Sequence, residues 1–159
     1  MAAVGLDVSV RAFPGGGVSL RDSGQLALAE GLCARAHQTW RAHLEAPTEA
    51  GRKQAADILF QGARAGIHVE LESNLVDFQA QLRNGMLKRD ALQQRLGVPV
   101  AFVLGLRDSP ANRAAVAAHR AVLLGGLPAG SREVLAAIRN GTPLGRDGLV
   151  WLRPTRRQS

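Results

Sequence analysis

One stretch of the sequence, RDALQQRLGVPVAFVLGL at residues 89–106, constrains the possible folds of this chain most strongly. Apolar residues flank a Leu-Gly-Val corner at the distances expected of two short helices that pack across a tight turn. Pro99 suits the first turn of the second helix, where a missing N–H costs nothing. The pattern therefore predicts a helix-turn-helix unit, whose packing residues are Leu92, Leu96, Gly97, Val98, Val103 and Leu106.

The residues after the corner leave a second interpretation open. A recognition helix contacts bases with side chains such as Arg, Asn, Gln or Ser, whereas residues 98–106 are almost entirely apolar. A short apolar run also suits a strand that is buried on both faces, and periodicity alone does not separate the two. An α+β chain with residues 98–106 as a buried strand is therefore the alternative fold.

The N-terminal half combines two patterns. Residues 1–21 contain alternating apolar positions and a PGGG turn, which predict a β-hairpin. Through residues 22–84 apolar side chains recur every three or four positions, which predicts amphipathic helices. Ile67, Val69 and Leu71 alternate with polar residues and would also suit a short strand. We favour a helix there because the flanking residues keep the helical period.

The C-terminal part is predicted to continue with helices over about 110–124 and 132–139 and a short strand at 149–152. The fold class predicted from the whole sequence is mainly α, with an N-terminal β-hairpin and a helix-turn-helix-like unit in the C-terminal half. We expect a single domain over residues 1–159, made of the hairpin (1–21), a helical oligomerisation part (22–84), a helix-turn-helix-like basic part (85–141) and a flexible basic tail (153–159).

Charge is distributed unevenly along the chain. The net charge is +7, but residues 1–82 carry seven basic and nine acidic side chains, and residues 83–159 carry thirteen basic and four acidic ones. Most of the basic residues are arginine, whose guanidinium group suits bidentate contact with phosphate. Five basic side chains near the corner are predicted to contact DNA phosphates, namely Lys88, Arg89, Arg95, Arg107 and Arg113.

Segments on both sides of the corner resemble parts of a known family. NGMLKRDALQQRLGV at 84–98 resembles the entry to the helix-turn-helix of bacterial regulators, and LLGGLPAGSREVLAAIRNG at 123–141 resembles the segment that follows this unit in ParB-type partition proteins. Residues 75–141 are thus similar to the helix-turn-helix region of ParB-type partition proteins. The resemblance implies DNA binding, with a role in plasmid partition or in transcription regulation.

No sequence pattern indicates a catalytic centre, a metal site or a cofactor. The four histidines do not share a ligand spacing such as HExxH, and no Gly-x-Ser-x-Gly signature is present. Glu70 and Glu72 would not face together on a helix. We therefore expect neither enzyme activity nor a bound cofactor or metal. The lone Cys33, the absence of a signal peptide and the absence of a membrane-length apolar segment predict a cytoplasmic protein that does not contact membranes.

These observations support a ranked set of functional hypotheses. The first is a bacterial regulator or accessory protein that binds double-stranded DNA mainly through phosphates and acts as a homodimer. The second is a non-enzymatic adaptor or secretion-type chaperone, in which the same helices bind an acidic protein partner and residues 98–106 belong to the core. A third, a small α+β enzyme, would require a deep pocket with convergent polar groups.

Overall fold

The computed structural model describes residues 23–48 and 55–154. Within those ranges the chain forms helices and strands that alternate along the sequence. They follow one another in the order α1 (Ser23–Cys33), β1 (Arg41–Pro47), β2 (Ala55–Gln61), β3 (Gly66–Glu72), α2 (Phe78–Leu96), β4 (Val100–Arg107), α3 (Pro110–Ala118), α4 (Arg120–Gly126), α5 (Ser131–Asn140) and β5 (Gly148–Leu152).

The five strands form one mixed sheet in the order β1-β2-β3-β4-β5. The strand β2 runs antiparallel to both of its neighbours, whereas β3, β4 and β5 are parallel to one another. Glu72 pairs with Leu106, and Arg107 pairs with Leu152, so β3, β4 and β5 end side by side. We call this side of the sheet, where the three parallel strands end, the carboxyl edge.

Helices cover both faces of the sheet. On one face α1 and α5 pack against alternate residues of β4, including Ala101 and Val103. On the other face α2 and α4 pack against Phe102, Leu104 and Leu106. Successive strand residues point to opposite faces. Because helices pack on both faces of β4, apolar side chains are needed at every position. This is why its sequence is a continuous apolar run rather than an alternating one.

The predicted mainly α fold with a helix-turn-helix-like unit is wrong, because residues 100–107 form the strand β4 between β3 and β5. Every residue of β4 except Arg107 is buried. The Leu-Gly-Val corner does end a helix, since Gly97 adopts the left-handed conformation (φ 68°) that closes α2. A strand follows it instead of a recognition helix, which matches the alternative of an α+β chain with a buried strand.

The prediction of a helical part over residues 22–84 is also wrong for most of its length. The chain is helical only in α1 and from Phe78 onward, and β1, β2 and β3 occupy much of the segment between. The alternation of Ile67, Val69 and Leu71 is the correct signal, because all three belong to the core beneath α1 and α5. Apolar residues on both faces of β2 and β3 happen to reproduce the helical spacing.

The predictions for the C-terminal helices and strand are confirmed in part, and those for the two ends of the chain are not tested. The predicted helix over 110–124 is divided at His119 into α3 and α4, and α5 and β5 confirm the helix and strand predicted near the C-terminus. The predicted hairpin at 1–21 and the tail beyond Pro154 lie outside the described residues. Among the helices that the structure describes, none has the length and hydropathy needed to cross a membrane.

Candidate functional site

A buried asparagine joins two of the loops at the carboxyl edge. The side chain of Asn112 in α3 is 2% exposed, and its Nδ2 donates to the carbonyl oxygens of Ser73 (3.0 Å) and Arg107 (2.8 Å). Its Oδ1 accepts the N–H of Leu75 at 2.9 Å. These bonds connect the loop after β3 to the loop after β4. In sheets of this kind, ligands bind beyond the carboxyl ends of parallel strands.

Two arginines, Arg113 and Arg153, bond one carboxylate at this edge, and Arg107 is exposed at the adjacent end of β4. We call Arg107, Arg113 and Arg153 the arginine rim. Arg113 Nε lies 2.8 Å from Asp108 Oδ1, and Arg153 Nε lies 2.9 Å from Asp108 Oδ2. The hydrogen bond from Arg113, followed by that from Arg153, lowers the pKa of Asp108 to about 2. Asp108 is therefore charged at neutral pH and fixes two guanidinium groups, while Arg107 is exposed at the end of β4.

One member of the rim also packs on an aromatic ring. Cζ of Arg113 lies 3.9 Å from the centroid of the Trp151 ring. The backbone N–H of Trp151 donates to Ser131 Oγ at 2.9 Å, which ties this end of β5 to the start of α5. The guanidinium group of Arg113 is therefore held from two sides, by the Asp108 carboxylate and by the indole.

A second grouping, which we call the polar cluster, lies between the sheet and α2 and consists of Asp57, His68, Glu70 and Lys88. Nε2 of His68 is 2.7 Å from Glu70 Oε1, and Lys88 Nζ is 3.0 Å and 3.1 Å from the two oxygens of the same carboxylate. Asp57 Oδ2 accepts the N–H of Leu71 at 2.8 Å. The cluster thus brings polar groups of β2, β3 and α2 to one place.

The two carboxylates of the polar cluster have opposite electrostatic environments. The pKa of Asp57 is raised to about 7, first by burial and then by the nearby negative charge of Glu70. The pKa of Glu70 is lowered, because hydrogen bonds and charge from His68 and Lys88 outweigh its burial. Glu70 is therefore the charged partner of Lys88, whereas Asp57 changes its protonation state near neutral pH.

Replacing Asp57 by asparagine tests this raised pKa. Between the unfolded value near 4 and about 7, the folded state holds a proton that the unfolded chain has released, so the contribution of Asp57 to the free energy of unfolding falls as pH rises. The asparagine side chain would not titrate and would still offer an oxygen to Leu71. We expect Asp57→Asn to be more stable, relative to the native protein, near pH 8 than near pH 5. Chemical unfolding of both proteins at the two pH values would measure this difference.

The control for this measurement is Asp90→Asn, because Asp90 in α2 is 63% exposed and bonds Arg89. Asp90→Asn makes the same chemical change outside the polar cluster, so it measures what the amide substitution itself does at each pH. An Asp57→Asn effect that does not change with pH would contradict the raised pKa.

The structure separates the five residues predicted to contact phosphate. Arg107 ends β4 and Arg113 lies in the first part of α3, so both are at the carboxyl edge. Lys88 binds Glu70 in the polar cluster, and Arg95 Nη1 donates to the carbonyl oxygen of Pro47. The predicted set therefore does not form one surface.

Arg89 joins α2 to the start of β5 rather than facing solvent. Its Nη1 lies 3.0 Å and 2.8 Å from the two oxygens of Asp147, and its Nε lies 2.6 Å from Asp90. Asp147 Oδ1 also accepts the N–H of Phe102 in β4 at 2.8 Å. Arg89 thus completes a bond network that holds a helix against two strands.

Four residues of these groupings are not among those predicted from the sequence, namely Arg153, Asp57, His68 and Glu70. The sequence pattern places Arg153 in a flexible tail, although its side chain bonds Asp108. The polar cluster is hidden when residues 55–72 are assigned to a helix, because Glu70 then has different neighbours. On a strand, His68 and Glu70 point to the same face, so the alternation in IHVELE is the signal that could have found them.

Two further observations concern metal ions and small ligands in the part of the chain that the structure describes. There, no three His, Cys, Asp or Glu side chains are grouped so that they could hold a metal ion. An open cavity of about 610 Å³ lies along α2, away from the polar cluster. Its lining residues are Leu87, Asp90, Ala91, Gln93, Gln94 and Gly97.

Comparison of the chain with protein-family models, with curated proteins and with solved structures finds no match. We therefore base the functional proposal on the geometry of the two groupings, and the resemblance of residues 75–141 to ParB-type partition proteins stays a prediction.

Proposed function

We propose that this chain binds nucleic acid through phosphate groups at the carboxyl edge of its sheet. The observation that carries the proposal is the arginine rim, in which Arg113 and Arg153 bond the single carboxylate of Asp108 and Arg107 is exposed at the adjacent end of β4. Three positive charges against one negative charge leave a net positive site. The side chains of Arg113 and Arg153 remain 51% and 82% exposed, so their guanidinium groups stay accessible.

The rim has the chemistry that phosphate binding needs. Guanidinium groups donate several N–H bonds in a plane and pair well with phosphate oxygens. Asp108 orients two of them in advance, so less side-chain entropy is lost when a ligand binds. Arg156 and Arg157 follow Arg153 closely in the sequence and are also positively charged. The rim therefore replaces the helix-turn-helix as the proposed contact with nucleic acid.

The double variant Arg107→Ala/Arg153→Ala tests the rim while leaving the stack of Arg113 on Trp151 in place. Binding to a fluorescent oligonucleotide would be measured by anisotropy over a range of salt concentrations. The native protein is expected to lose affinity steeply as salt rises, because binding releases counterions from the phosphates. Removing two phosphate contacts should weaken binding and reduce the slope of log affinity against log salt by roughly 2.

The matched control is Arg41→Ala/Arg64→Ala, which removes the same net charge. Arg41 pairs with Gln61 and Arg64 lies in the turn between β2 and β3, so both are at the opposite edge of the sheet. Both are exposed. Equal losses in the two double variants would show that overall charge, and not the rim, governs binding. A native protein without salt-dependent binding would contradict the proposal itself.

Three further predictions belong to this proposal and have no structural argument of their own. They are that the chain acts as a homodimer, that it is cytoplasmic, and that it serves in regulation or plasmid partition. The alternative of an adaptor or secretion-type chaperone also stays a prediction. It gains some support from exposed apolar side chains on α2 and α4, where Leu87 is 61%, Val122 56% and Leu124 52% exposed.

The polar cluster favours a second candidate function, hydrolysis of a phosphodiester bond, in contrast to our expectation of no enzyme activity. The pKa of Asp57 is about 7, which suits a general base at neutral pH. A proton from water would pass to Asp57 as the water oxygen attacks phosphorus. The P–O bond to the leaving group would break, the departing oxygen would take a proton from solvent, and Lys88 would stabilise the negative charge that develops on the phosphoryl oxygens. The small α+β enzyme considered from the sequence requires a deep pocket with convergent polar groups. The polar cluster supplies the convergent polar groups, whereas the cavity along α2 is lined by other residues.

Incubation of the protein with plasmid and with single-stranded oligonucleotides tests this candidate. Magnesium, manganese and chelator would be compared, because Mg²⁺ binds through one or two carboxylates together with substrate phosphates. Any cleavage is expected to be lost in Asp57→Asn and retained in Asp90→Asn. Absence of cleavage under all conditions would eliminate the second candidate and leave the binding proposal intact.

A further inference from the structure

We infer that the arginine rim accepts single-stranded nucleic acid and that one unpaired base stacks on the guanidinium plane of Arg113. The inference rests on the proposed function and names the form of nucleic acid that the same site would take. Arg113 is the one member of the rim that the structure places over an aromatic ring, with Cζ 3.9 Å from the Trp151 centroid.

The environment of Arg113 favours stacking. One side of its guanidinium group faces the indole of Trp151, and Nε bonds Asp108 at 2.8 Å. The side chain is nevertheless 51% exposed. A planar cation held on one side and accessible on the other is a surface on which a base can stack, as bases do on arginine planes in single-stranded complexes.

The geometry of a duplex explains why the stacked base must be unpaired. In a duplex both faces of each base are covered by neighbouring base pairs, so only the grooves and the phosphates are available. A single strand can bring a base face to Arg113 while its phosphates reach Arg107 and Arg153. The exposure of all three arginines along one edge suits this arrangement.

The experiment compares three probes of equal length, about 12 nucleotides, which is within the site sizes of single-strand binding proteins. The probes are oligo-dA, an abasic strand with the same number of phosphates, and a duplex. We expect oligo-dA to bind about tenfold more tightly than the abasic strand, because stacking of one base increases the affinity by about this factor. Oligo-dA is also expected to change the tryptophan fluorescence, and Trp151→Phe should remove that change.

Arg113→Lys separates stacking from charge, because lysine keeps the positive charge beside Asp108 and loses the plane. This variant is expected to bind oligo-dA and the abasic strand equally, whereas the control Arg107→Lys keeps the tenfold preference. Equal binding of oligo-dA and the abasic strand by the native protein, or equal or tighter binding of the duplex, would overturn the inference and leave phosphate binding standing. Failure of all three probes to bind would overturn both.

Discussion

Phe102→Ala is expected to lower the free energy of unfolding by about 3–5 kcal/mol, the usual cost of truncating a buried phenylalanine. The Phe102 ring is 0% exposed at the centre of β4 and packs among residues of α2 and α4. Its centroid is 5.4 Å from that of His68 on the neighbouring strand. Truncation would therefore leave a cavity between the sheet and α2, and urea unfolding followed by circular dichroism would measure its cost.

The comparison variant is Val122→Ala in α4, whose side chain is 56% exposed. We expect it to change the free energy of unfolding by no more than about 0.5 kcal/mol. The pair also tests the fold, because a DNA-reading helix at residues 98–106 would leave Phe102 on the surface. Similar small effects in both variants would be incompatible with β4 as a central strand.

The start of α3 and the ends of α2 and α5 could be predicted from the sequence because local chemistry determines them. Ser109 Oγ accepts the N–H of Asn112 at 3.2 Å, as its position before Pro110 suggests. Gly97 and Gly141 both adopt φ 68° where α2 and α5 end. These interactions involve residues close in sequence, so a pattern over a few positions is enough to predict them.

The strands could not be predicted in the same way because their partners are distant in sequence. Val69 belongs to β3, between Ile58 of β2 and Val103 of β4, and no local pattern shows that both pairings occur. A strand buried on both faces loses the alternation that would distinguish it from a helix. The helical assignment of residues 22–84 therefore follows local spacing where long-range pairing determines the structure.

The candidate site could be predicted only in part for the same reason, because its contacts join residues that are distant in sequence. Arg107 and Arg113 can be identified from charge alone, but Arg89 has the same sequence properties and binds Asp147, 58 positions away. Charge in a sequence shows how many arginines a region contains, and only the fold decides which of them have a carboxylate partner. Arg89→Ala would therefore weaken the protein through lost contacts between α2 and the sheet, which makes it an unsuitable probe of phosphate binding.

Gly85→Ala is expected to destabilise the protein by about 1–3 kcal/mol, the usual cost of overpacking a core. A Cβ at position 85 would lie well within 3.0 Å of Cζ and Cε2 of Phe102. Gly85 is buried in the middle of α2, so the close approach of the helix to β4 depends on the missing side chain. Intrinsic helix propensity alone would predict the opposite sign, because alanine is favoured over glycine within a helix by about 1 kcal/mol.

Gly125→Ala supplies the matched control, because nothing lies within 4 Å of the Cβ that would be added there in α4. We expect this variant to be stabilised by as much as about 1 kcal/mol, so the same chemical change should have opposite signs in the two helices. Combining Gly85→Ala with Phe102→Leu should recover part of the loss, since the smaller side chain leaves room for the new methyl group. If Gly85→Ala proved as stable as Gly125→Ala, α2 would not pack against the ring of Phe102, and the polar cluster beneath that helix would lose its structural basis.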